Sequence, residues 1–205
     1  PWLFFRARLF LGERMKTRRT TEPMRKRLSF ARDVPTEREA LRLVDLLRDE
    51  VGLFKVGKQL FVSSGPDILR KIRRRHAEVF LALKFHDIPN TVAGAVRSAA
   101  AIGPAMMTVH AAGGPAMLAA ARAARDAAAD ATGKRPKLLA VTVLTSFADA
   151  DLAAVGQTEP VARHARRAAT LARSRCCAPN AGRTSRWSCR ASGRPAPTSP
   201  TRNAS

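Results

Sequence analysis

The sequence predicts an α/β fold of parallel strands joined by helical crossovers, on three observations. Short apolar runs of strand length recur along residues 28–143, most of them closed by Gly, Pro or Asp. Each is followed by a longer window with apolar residues at helical spacing or by an Ala-rich stretch. The pair repeats five times, at a period of about 25 to 30 residues, and parallel strands need right-handed crossovers of this kind.

The first expected strand is Leu28 to Ala31, ending at Asp33. Pro35-Thr36 then leads into a helix from Glu37 to Asp49, with Ala40, Leu41, Leu43, Val44, Leu46 and Leu47 on its inner side. The second unit is a strand from Leu53 to Val56 carrying Lys55, then Gly57 and a helix from Pro66 to Arg75. Val79 to Lys84 is the third strand, followed by a helix from Asn90 to Ala101. Met106 to His110, the turn Gly113-Gly114 and an Ala-rich helix from Pro115 to Ala131 make the fourth. A fifth strand, Leu138 to Val143, runs into Leu144-Thr145-Ser146, and helical sequence resumes from Glu159 to Arg175. This rhythm fits a (β/α)8 barrel of the TIM type, of which the chain holds about five βα units.

Chemistry in such barrels gathers at the carboxyl ends of the strands. The candidates there are Asp33, Lys55, Lys84, Asp87, His110 and Ser146, drawn from five strands. The densest stretch is ALKFHDIPNT, Ala82 to Thr91, a buried strand delivering a lysine and a carboxylate to its end. Lys84 and Asp87 are three apart, so the turn that begins there decides whether they converge. A strand-end Lys and Asp can equally form an ordinary surface pair. His110 reads as a packed strand-end histidine rather than an acid or base, and Ser146 as a site residue or a helix N-cap.

With 205 residues, 45% of them hydrophobic, the chain can bury one sizeable core, and one domain is expected. A net charge of +21 would ordinarily point to a nucleic-acid partner. Residues 1–32 carry ten Lys/Arg and two Glu, and residues 176–205 five Arg and no acid, so 13 of the 21 charges lie in the two ends. There is no Tyr, and the Phe residues lie mostly in apolar runs, so a basic stacking surface is not expected and no nucleic acid is assigned. The cysteines, Cys176, Cys177 and Cys189, make no disulfide framework and no metal-ligand spacing with the four histidines. No apolar run approaches the roughly 18 residues of a membrane helix. A reducing cytoplasm is the expected location, with no membrane contact. PWLFFRARLFLG is broken by Arg6 and Arg8 and makes a poor signal-peptide core; Met15 and Met24 are both candidate starts.

Four runs in fixed order carry a resemblance: FKVG (Phe54 to Gly57), LKFHDIPNT (Leu83 to Thr91), TVHAAGG (Thr108 to Gly114) and VTVLTS (Val141 to Ser146). Together they closely resemble the orotidine 5'-phosphate decarboxylase family over about residues 28–175. The resemblance implies a homodimer that converts orotidine 5'-phosphate to uridine 5'-phosphate in pyrimidine biosynthesis, with no cofactor and no metal. Lys84 is then the general acid beside the carbanion at C6 of the pyrimidine, and Lys55 the second lysine of an alternating lysine and aspartate array. Asp87 matches an aspartate that reaches the partner subunit's ribose, Asp33 a ribose-binding aspartate, Thr91 a substrate contact and Ser146 a contact to the pyrimidine edge. Two other readings stay open: a basic nucleic-acid-binding or interaction protein reusing a partial barrel, and a related sugar-phosphate lyase.

The chain departs from the family pattern in three places. Ala82 stands where the family has an aspartate between the lysines, and the loss of that carboxylate is expected to loosen both. Arg32 replaces an apolar residue on the first strand, where a charge is hard to bury. After Arg175 the rhythm stops, and the Arg, Ser and Pro mixture reads as a disordered tail. Back-translated with G/C-rich codons and read one base earlier, Trp187 to Ser205 can give LVVPGIRPAGADVADQKRV, which looks like the family's next segment. Three regions follow: a basic upstream or disordered extension over 1–27, a partial barrel over 28–175 and an out-of-frame tail over 176–205. A chain so interrupted is expected to be impaired or inactive.

Overall fold

The computed structural model describes residues 25, 28–31, 34–132 and 135–176. In chain order the elements are β1 (Ser29–Phe30), α1 (Glu37–Leu47), β2 (Leu53–Val56), α2 (Lys58–Ser64), α3 (Asp67–Arg73) and β3 (Glu78–Phe85). They continue with α4 (Pro89–Ile102), β4 (Met106–His110), a 3₁₀ turn (Ala111–Gly113), α5 (Gly114–Thr132), β5 (Lys137–Val141), α6 (Asp149–Ala154) and α7 (Val161–Cys176). The strands form one sheet in the order β1-β2-β3-β4-β5, with every neighbouring pair parallel. Spatial order equal to chain order, with helices between, is the arrangement of consecutive units of a (β/α)8 barrel.

Local chemistry sets the helix ends. Thr36 caps α1, its Oγ1 accepting the Glu39 N–H at 3.3 Å, while Glu37 and Glu39 in the first turn complement the helix dipole. Pro89 opens α4, where its fixed φ suits the first turn and no amide is missed. Gly103 closes it in the left-handed region, φ 79°; a Cβ there would lie 2.5 Å from the Arg73 guanidinium, which donates to the Ile102 carbonyl.

The core lies between the helices and one face of the sheet. Phe54 and Val56 of β2, Val79 and Leu81 of β3, and Met107 and Val109 of β4 point to that side, all at most 4% exposed. They meet Ile68, Leu69 and Ile72 of α3, Val92 and Val96 of α4, and Met117 and Leu118 of α5. The alternate strand positions therefore face away from α1 to α5, and that second face carries Lys55, Lys84 and Thr108 among apolar neighbours.

Strands β2 and β4 match the sequence expectation, while other bounds shift. Strand β1 is only two residues long, and β5 ends at Val141 rather than Val143. Helix α2 fills the span between Gly57 and Gly65 where no helix was expected, and α6 occupies a stretch read as a connection. The helix expected to begin at Pro66 is α3, and the Gly113-Gly114 turn is a 3₁₀ turn whose successor, Gly114, opens α5. Leu46, expected on the inner side of α1, is 68% exposed. It lies two residues from buried Val44, about 200° round the helix, so it cannot share Val44's face. Asp33, Arg32 and residues 1–24 and 177–205 lie outside the described residues, so the readings of Asp33, Arg32 and the tail do too. Among the described residues no helix is long and apolar enough to cross a membrane.

Candidate functional site

The sheet face turned away from α1 to α5 forms one wall of a cleft of about 570 Å³. Alternation along the strands brings Lys55 of β2, then Phe80, Ala82 and Lys84 of β3, and Thr108 of β4 to that wall. The residues from Leu139 to Ser146 and two alanines of α7, Ala169 and Ala172, complete the lining. Two lysines from neighbouring strands thus face one space, and the side chain between them along β3 is the methyl of Ala82, 4% exposed.

Alternation brings Lys84 to the cleft, and an irregularity that periodicity does not announce sets its backbone there. Strand β3 pairs with β4 as Phe80 with Met106 and Leu81 with Met107, and then as Phe85 with Val109. Ala82, Leu83 and Lys84 therefore stand opposite the single residue Thr108. Such a bulge bends the strand and re-aims a side chain. The backbone at Lys84 is left-handed, φ 55°, a conformation that costs a non-glycine residue about 1–2 kcal/mol. Its amide donates to the Thr108 Oγ1 at 2.8 Å, where a regular ladder would offer a carbonyl.

The remaining candidates divide. Ser146 lines the cleft with its side chain exposed; it is not a helix N-cap, since Ala148 holds that position of α6. Asp87 and Thr91 are not brought to this wall. Asp87 lies beyond the end of β3, exposed, its Oδ1 accepting the Ile88 N–H at 2.6 Å, and Thr91 is exposed in the first turn of α4. The turn after Phe85 therefore separates Asp87 from Lys84 within one chain.

His110 ends β4 half-buried, its ring stacked on His86 at a centroid distance of 5.2 Å and an interplanar angle of 18°. Its Nδ1 accepts the Ala112 N–H at 3.2 Å, which caps the 3₁₀ turn. Burial holds the imidazole below its ordinary pKa, and the charges of His86, Lys84, Lys58 and His164 add to that. Among the described residues no group of three or more His, Cys, Asp and Glu side chains converges. Thr108 was not singled out from the sequence. The signal was present, for a threonine between Met107 and Val109 on a buried strand must find a hydrogen-bond partner.

Comparison with known proteins adds the lineage. The chain is 54% identical over 147 residues to orotidine 5'-phosphate decarboxylase of Alkalilimnicola ehrlichii, covering 72% of this chain and 61% of that protein. It is 51% identical over 150 residues to the same enzyme of Syntrophotalea carbinolica, covering 73% and 62%. The chain thus spans about three-fifths of the length of these curated relatives. Among solved structures, orotidine 5'-phosphate decarboxylase of Lactobacillus acidophilus superposes with a TM-score of 0.67 at 34% identity, covering 72% of this chain and 67% of that one. An uncharacterized conserved protein of Geobacillus kaustophilus gives 0.66 at 35%, covering 69% and 66%. With these relatives, and with the model of the orotidine 5'-phosphate decarboxylase / HUMPS family matching residues 26–191, the chain belongs to that family.

Proposed function

We propose that this chain carries the lysine-bearing part of an orotidine 5'-phosphate decarboxylase, a cofactor-independent carboxy-lyase, in a form impaired by Ala82. The observation that carries the reading is the pair Lys55 and Lys84 on neighbouring strands, facing one cleft at the carboxyl end of a parallel sheet. Decarboxylation breaks the bond from C6 of the pyrimidine to its carboxylate carbon. Carbon dioxide leaves and the electron pair stays on C6. A fixed ammonium beside C6 stabilises that charge and supplies the proton that replaces the carboxylate. Lys84 takes this role and Lys55 holds the ribose, with Ser146 at the pyrimidine edge.

Asp87, exposed beyond the cleft, is suited to a partner subunit's ribose rather than its own, which supports a homodimer with shared sites. Asp33 and Thr91 take the remaining ribose and substrate contacts. At position 82, between the lysines along β3, stands a methyl in place of a carboxylate. Removing one preorganised group of this kind costs roughly 10² to 10³ in rate, and members of a coupled array can cost more.

The test uses the chain with its reading frame restored through Trp187. Ala82→Asp should raise the turnover of orotidine 5'-phosphate by roughly 10² to 10³, read as carbon dioxide release. Equal rates with and without the substitution would remove the array argument, and no turnover in either form would remove the decarboxylase reading. Activity lost on chelation would favour a metal-dependent sugar-phosphate lyase instead.

A further inference from the structure

We infer that Thr108 is a positioning residue for Lys84, acting through the backbone amide of the lysine rather than through its ammonium. The inference rests on the reading of Lys84 as the proton donor, and it names the residue that aims it.

Where three residues of β3 face one of β4, the backbone ladder cannot supply a carbonyl for every amide. The Lys84 amide is turned out of the ladder by its left-handed φ of 55°. The group it meets is the Thr108 Oγ1, at 2.8 Å. Thr108 is 5% exposed, the single buried polar residue among those described, so water does not compete freely for this oxygen. A β-branched side chain has few χ1 choices, which fixes the acceptor's direction as well as its presence. Holding the amide fixes the Cα–Cβ direction of Lys84, and so the part of the cleft its ammonium can sweep. A misdirected proton donor loses rate steeply with small displacements. Alternation gives Lys84 its face, and the opposite strand, through Thr108, sets its direction on that face.

Thr108→Val keeps the shape and branching and removes the acceptor, while Thr108→Ser keeps the acceptor and loosens χ1. In the unmodified full chain, the Lys84 amide should exchange with deuterium more slowly than the amide of exposed Asp87; equal rates would overturn the inference without any variant. Thr108→Val should speed Lys84 amide exchange about tenfold, and Thr108→Ser should recover most of the protection. Competitive acetylation with acetic anhydride, read by mass spectrometry against pH, reports the side chain. Thr108→Val should change the Lys84 reactivity profile relative to Lys137 and Lys71, and Thr108→Ser should restore it. A uniform change across all three lysines would mark Thr108 as merely structural and overturn the inference.

In the frame-restored Ala82→Asp chain, Thr108→Val should lower kcat roughly 10- to 100-fold with KM nearly unchanged. If exchange and acetylation respond as expected but no variant turns over orotidine 5'-phosphate, the decarboxylase reading fails and the amide link stands. If turnover is normal in Thr108→Val, the link to catalysis fails and the decarboxylase reading stands.

Discussion

At the scale of single residues, the two positions that matter most are held in ways their own side chains do not explain. Lys84 occupies a strained backbone conformation on a strand, and strain of this kind persists where the surroundings over-determine it. Lys84→Asn places a residue more tolerant of φ 55° there, so it should raise the unfolding free energy by about 1 kcal/mol in urea titration while abolishing proton donation. Destabilisation would show that the lysine's packing outweighs the backbone strain. His110 offers a second test. Its folded pKa lies below the ordinary value, so the unfolded chain takes up a proton first as pH falls. Its stability contribution is complete above about pH 6.5 and declines below that. The urea midpoint should therefore drop as pH falls from 7.5 to 5.5, and His110→Asn should flatten that drop. The positive charges of His86, Lys84, Lys58 and His164 push its pKa in the same direction as burial. An unchanged slope in His110→Asn would assign the drop to other groups.

At the scale of elements, legibility follows how completely a segment's own residues dictate its state. Strands β2 and β4 were legible to the residue because Gly52 and Gly57 bound one and Gly103-Pro104 precedes the other. Helices α2 and α6 were not, since seven and six residues give too few turns for a periodic signal, and KQLFVSS contains an apolar run suited to either state. Strand alternation put Lys55, Ala82 and Lys84 on one face. The bulge beside Thr108 was invisible, because register is a property of two strands rather than of one sequence window. The turn between Lys84 and Asp87 was legible as the deciding feature, but its direction was not, since four residues of sequence fit either outcome. The seam between α4 and α5 shows the tighter kind of constraint: Ala99, Ala100, Ala121 and Ala124 are each at most 5% exposed, so small residues let the helices close on one another. Ala121→Leu should cost about 1–3 kcal/mol by overpacking, measured as a lowered urea midpoint. A neutral result would mean that the seam can open without loss.

At the scale of the molecule, the two faces of the sheet are in different conditions. The helix side carries a continuous core from α1 to α5. On the other side the cleft is open, and among the described residues β1 and β5 each pair along one edge only. Unpaired strand edges beside an apolar lining such as Leu139, Val141 and Val143 are templates for association. The net charge of +21 opposes that association through mutual repulsion, and salt screens repulsion over about 10 Å at 0.1 M. The balance makes ionic strength the discriminating variable. Raising salt should increase self-association of the 205-residue chain in sedimentation velocity, together with the fluorescence of an apolar dye. A nucleic-acid-binding protein that aggregates by sharing polyanions would behave oppositely, dissociating as salt rises. A monodisperse, dye-free chain at all salt concentrations would mean that the open face is already covered.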